Sequence, residues 1–177
     1  MQSVRWLLGV IAAVALLLAA AATGTAAAVK RYDRHGVSFT YPAAWVVTTR
    51  PLSNVTNPRY RVTVSTAPVE RTSRDDGPCL PGIAGQLPKD AALMYVMEAL
   101  GTDRTVSLRH MQPRPRSFRL PARSDNALCG FKRGGLWVPF KSGGRAFYLG
   151  VYVGPAAPAA TRAALRRLLD GMRIEPR

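Results

Sequence analysis

The sequence predicts an α+β protein, an antiparallel sheet with amphipathic helices packed against it. Three observations carry that prediction. Short runs alternate apolar and polar residues, as Val37, Phe39 and Tyr41 do with Ser38 and Thr40, the period of a strand with one buried face. Paired glycines separate strand-like stretches in "RGG" and "KSGG", and glycine supplies the positive φ angles that tight hairpins need. The chain closes on "ATRAALRRLLDGMRI", with Ala164, Leu165, Leu168, Leu169 and Met172 along one side and Arg162, Arg166, Arg167 and Asp170 along the other. That is the stripe of a surface helix, which must bury its apolar side against another element.

In chain order, residues 1 to 28 place one cation, Arg5, before an apolar run and a small-residue tail ending in Ala26 and Ala28. This is the layout of a secretory signal peptide, expected to be cleaved before Val29. The alternative is an uncleaved anchor, since the run is long enough to cross a bilayer of about 30 Å. Its second half is mostly Ala, Thr and Gly, which favours cleavage and leaves residues 29 to 177 as one secreted domain.

After the basic lead-in "VKRYDRH", residues 37 to 41 form the first expected strand. Pro42 has no amide hydrogen for a ladder, so "PAAW" is a corner, after which Val46 and Val47 resume and Trp45 folds over the apolar side of a hairpin. Tyr60, Val62 and Val64 alternate with Arg61, Thr63 and Ser65, predicting a strand with those two faces. Residues 67 to 87 lack any period and read as an irregular excursion.

Residues 88 to 100 read as a helix: Pro88 suits a first turn, Asp90 complements the positive helix end, and Leu93, Met94, Met97 and Leu100 recur before Gly101. Short extended pieces are expected at 105 to 109 and 117 to 120. Residues 127 to 132, 136 to 140 and 146 to 153 read as a meander, with Phe147, Leu149, Val151 and Val153 opposite Tyr148 and Tyr152. Pro155 and Pro158 then introduce the closing helix, which Gly171 ends.

The formal charge is +15, or +14 without Arg5, and only four of the cations are lysines. Such a surface attracts anionic lipid headgroups, wall polymers and acidic proteins outside the cytoplasm, where nucleic acid is not an expected partner. Cys79 and Cys129 are the only cysteines. In an oxidising compartment they are expected to pair, closing a loop of about 50 residues and stabilising the fold by roughly 4 kcal/mol in the chain-entropy account.

The corner "VSFTYPAAW", the antiparallel centre, the Gly-bounded final strand and the terminal amphipathic helix resemble the PsbP/Mog1-like superfamily. Phe39, Pro42 and Trp45 match its opening aromatic and proline corner, and residues 168 to 174 match its closing helix and apolar tail. The resemblance covers most of residues 32 to 175, the cysteine pair and residues 67 to 87 standing outside the family pattern, and implies an α/β/α sandwich with a noncatalytic accessory or binding role.

Motifs for a nucleophile elbow, a zinc protease, a phosphate loop and a dinucleotide fold are missing from the sequence. His35 and His110 are the only histidines, and neither has a local Ser or Cys partner; a secreted hydrolase built around one of them is the alternative function. No metal site, cofactor or catalytic residue is assigned, and Asp75 and Asp76, the one adjacent acid pair, read as a solvated turn. Asn54 to Thr56 spell a glycosylation sequon. Arg109, Arg114, Arg116, Arg119 and Arg123 form a cationic segment without an acid. Their guanidinium groups fork onto phosphate or carboxylate, making this segment the expected contact for an anionic envelope component or a protein; the alternative is a solvated strand edge kept from pairing by charge and proline.

Overall fold

The computed structural model describes residues 28–75, 80–120 and 135–177. Along the chain these form β1 (Val29–Arg34), β2 (Val37–Pro42), β3 (Val46–Thr48), β4 (Arg59–Ser65), α1 (Pro81–Gln86), β5 (Ala92–Ala99), α2 (Gly101–His110), β6 (Gly135–Ser142), β7 (Arg145–Val153), α3 (Ala159–Gly171) and β8 (Arg173–Ile174). The fold is α+β with two antiparallel sheets. A three-stranded sheet runs β1-β2-β8 and a five-stranded sheet runs β3-β4-β5-β7-β6.

The proline corner switches the chain between these sheets. The Trp45 amide donates to the Pro42 carbonyl at 2.9 Å, closing the turn. β2 before it pairs with β1 and β8, whereas β3 after it pairs with β4. The expected hairpin across "PAAW" is therefore corrected: the true partner of β2 is the basic lead-in, which is itself a strand. Trp45 packs, half-buried, against the core shared by the two sheets.

That core joins Tyr32, Val37 and Phe39 of the small sheet to Val62, Val64, Met94, Val96, Phe147, Leu149 and Val151 of the large one. Leu165, Leu168 and Leu169 of α3 complete it, each fully buried, and burial of such a side chain stabilises by about 1.5–3 kcal/mol. A second cluster covers the opposite face of the large sheet, where Leu80, Ile83 and Leu87 around α1 meet Tyr60, Leu93, Tyr95 and Met97.

Having both faces covered explains the largest correction. Residues 92 to 99 form a strand, not the expected helix over 88 to 100. Every residue of β5 is buried, with Ala92, Met94 and Val96 in one cluster and Leu93, Tyr95 and Met97 in the other. A central strand apolar on both faces loses its alternation, so its apolar residues also satisfy helical spacing. Gly101, at φ +56, then turns the chain into α2, where an extended piece was expected at 105 to 109. Asp103 in its first turn and Arg109 and His110 in its last complement the helix dipole.

β4 departs from strict alternation. Arg59 pairs with Glu98 and Tyr60 with Met97, but Val62 pairs with Val96, leaving Arg61 as the extra residue of a bulge. Tyr60 thus faces the second cluster and Val62 the first, against the single face expected for them. The 67 to 87 segment contains α1, and residues 117 to 120 form no strand. The β6–β7 hairpin, its faces and α3 stand as expected, with Gly143 and Gly144 at φ +57 and +70 in the turn. Residues 127 to 132, Cys79 and Cys129 lie outside the described residues.

Candidate functional site

The structure divides the expected arginine segment. The chain from 112 to 118 first lies along β6: the Arg114 amide donates to the Lys141 carbonyl at 3.0 Å, and the Lys141 amide to Gln112 at 2.8 Å. It then crosses to the end of α3. There Arg114 Nη2 donates to the carbonyls of Leu169 and Asp170 at 2.5 and 3.1 Å, its guanidinium lies 5.3 Å over the Phe118 ring, and the Phe118 amide donates to Asp170 Oδ1 at 2.8 Å. Burial lowers the pKa of Arg114, against the opposing charge of Asp170. Arg114 thus satisfies helix-end carbonyls instead of facing a ligand. Arg109, Arg116 and Arg119 are exposed, and Arg123 lies outside the described residues.

Beside Phe118, between residues 117–120 and α3, lies a groove of about 520 Å³. Ser117, Arg119 and Leu120 form one wall; Ala159, Arg162, Ala163 and Arg166 of α3 form the other. No acid stands among these lining residues. Arg162 is fixed by donation from Nε to the Ala157 carbonyl at 3.3 Å and from Nη2 to Gly154 at 3.0 Å. Arg166 lies one turn along the same helix side, where like charges four apart repel by about 0.2–0.5 kcal/mol. An anion between these guanidiniums would relieve that repulsion. In the sequence Arg162 and Arg166 are only the polar face of a helix, because the groove they share with Arg119 is made by the tertiary fold.

Elsewhere, Glu98 is fully buried in an arginine cluster. Arg145 reaches it with Nε on Oε1 at 2.9 Å and Nη2 on Oε2 at 2.7 Å; Arg61, aimed by the bulge, reaches Oε2 at 2.8 Å. Burial would raise the Glu98 pKa, but hydrogen bonds and charge from Arg145, then Arg61, outweigh it and hold the carboxyl below its ordinary value. Arg145 also donates to the carbonyls of His35 and Gly36 at 2.6 and 3.0 Å, which ties the β1–β2 turn to the large sheet. A carboxylate held ionised and enclosed in this way is a structural tie. The helical reading of 88 to 100 hid it, since only a strand register places Glu98 beside Arg145.

His35 is exposed at φ +58 in the β1–β2 turn, and His110 is exposed at the end of α2. Among the described residues neither imidazole has a hydrogen-bonded Ser or Asp, the contact a histidine base requires. Asp75, expected in a solvated turn, is instead fully buried. Its carboxylate accepts from the Thr72 amide and hydroxyl at 2.9 and 2.7 Å and from the Gly82 and Ile83 amides at 2.9 and 3.2 Å. Burial opposes ionisation of Asp75, but these hydrogen bonds win and lower its pKa. Among the described residues no group of three or more His, Cys, Asp or Glu side chains could hold a metal ion. Nor is any helix there long and apolar enough to cross a membrane.

No protein family model matches the chain, and no curated protein or solved structure does so.

Proposed function

We propose that this chain is a secreted, noncatalytic accessory domain of PsbP/Mog1-like architecture that holds an anionic envelope component in the groove between residues 117–120 and α3. The observation that carries the reading is that Arg119, Arg162 and Arg166 line one concavity with no acid among its described lining residues. Guanidinium donors that line one groove suit a phosphate or carboxylate group; Arg162, with Nε and Nη2 on the Ala157 and Gly154 carbonyls, adds a fixed positive charge at little loss of side-chain freedom. The proline corner, the antiparallel sheets and the closing helix support the family assignment. For export, the leader-like residues 1 to 28 end where β1 begins, at Val29, and Cys79 and Cys129 are proposed to pair.

Titration of the protein with poly(glycerol phosphate) at two salt concentrations tests this function. Binding should weaken with salt, as exposed charges are screened, and should fall at least tenfold in the Arg119→Ala/Arg166→Ala variant. Arg167→Ala, which removes an exposed α3 cation that does not line the groove, should retain most of it. Equal losses in both variants would mean diffuse attraction to a basic surface and would refute the groove.

A further inference from the structure

We propose that the component held in the groove is an anionic phospholipid, its phosphate among Arg119, Arg162 and Arg166 and the first methylenes of its acyl chain against Leu120 and Ala163. This rests on the reading of the groove as an anion site and adds the nature of the anion's carrier.

The groove is two-sided in chemistry. Its cations come with an apolar surface made of Leu120, Ala159 and Ala163, above the buried Phe118 ring. Free phosphate would engage the guanidiniums and leave that surface wet. An amphiphile covers both, and burying each methylene adds to affinity. Size points the same way: about 520 Å³ falls within the roughly 300–1,000 Å³ of cavities that enclose one small ligand. A long polyanion would instead be followed by cations spaced along an extended surface. Arg114, earlier in the same cationic run, is already committed to the carbonyls of Leu169 and Asp170.

The test is calorimetric titration of the protein with glycerol phosphate and with a series of phosphatidylglycerols of lengthening acyl chain, each kept monomeric. Affinity should rise about fourfold per methylene while the chain lies on the apolar wall, then level off. Arg166→Ala should weaken every member of the series. Leu120→Asn, and separately Ala163→Asn, should flatten the dependence on chain length and weaken glycerol phosphate binding far less than Arg166→Ala does; thermal melts check that each variant is folded. A flat series in the parent protein, with binding still lost in Arg166→Ala, overturns the phospholipid and leaves the anion site standing. A flat series together with tight, Arg166-dependent binding of an acidic peptide overturns it in favour of a protein partner. Binding that ignores Arg166 in every arm overturns both the phospholipid and the anion site.

Discussion

Arg145 and Glu98 meet through two parallel hydrogen bonds of 2.9 and 2.7 Å, in a region where the Glu98 side chain is sealed from solvent. Removing one partner breaks a buried pair, which costs up to about 3–5 kcal/mol, although Arg61 still reaches Glu98 and the His35 and Gly36 carbonyls still accept from Arg145. Arg145→Met and Glu98→Met should each lower denaturant stability by that order. The double substitution should lose clearly less than the sum, because no orphaned charge remains between them. Additive losses would show that the two groups do not act as a pair.

Acid should unfold the protein through Glu98 and Asp75. Both pKa values lie below those of unfolded carboxyls, so their stabilisation is fully present above the ordinary carboxyl range near pH 4 and is lost as pH falls through the lower folded values. Stability followed from pH 6 to about pH 2 should decline steeply below about pH 4. Glu98→Gln should be less stable at neutral pH and show a shallower decline.

Tyr95 lies over Gly150 of the neighbouring strand, and a Cβ at position 150 would run into its ring. Gly150→Ala should therefore destabilise by about 1–3 kcal/mol, the usual cost of overpacking. The same enclosure governs ionisation. Burial, opposed by a hydrogen bond with Ser53 and assisted by Asp75, pushes the Tyr60 pKa up to about 12, and burial with the nearby Tyr60 raises Tyr95 further. Absorbance titration should show these two phenols ionising well after an exposed tyrosine, which titrates near pH 10.

Arg114 and Arg116 sit two residues apart in the same cationic run but differ in environment. Arg114→Ala should cost about 1–3 kcal/mol, since it strips helix-end carbonyls of a charged donor. Arg116→Ala, at an exposed position, should stay within about 0.5 kcal/mol. Thermal melts of the two variants compare them directly.

Legibility in the sequence followed the environment of each segment. β7 and α3 each carry a clean period and end at glycine or proline, so their positions and faces were readable. β5 was not, because burial on both faces removed the polar residues that mark alternation. The Arg61 bulge was hidden for a different reason: it depends on the register with β5, a non-local relation. The arginine segment was visible as composition, but only the fold separates Arg114, spent on α3, from Arg119, which lines a groove with Arg162 and Arg166. Those last two looked like an ordinary solvated helix face, and no local signal marks them otherwise.

The most direct measurement of the anion site follows the arginine Nε–Hε resonances by NMR while glycerol phosphate is added to the protein. Arg119, Arg162 and Arg166 should shift together along one saturable curve while Arg167 and Arg173 stay in place. Unsaturable shifts spread evenly over all exposed arginines would contradict it.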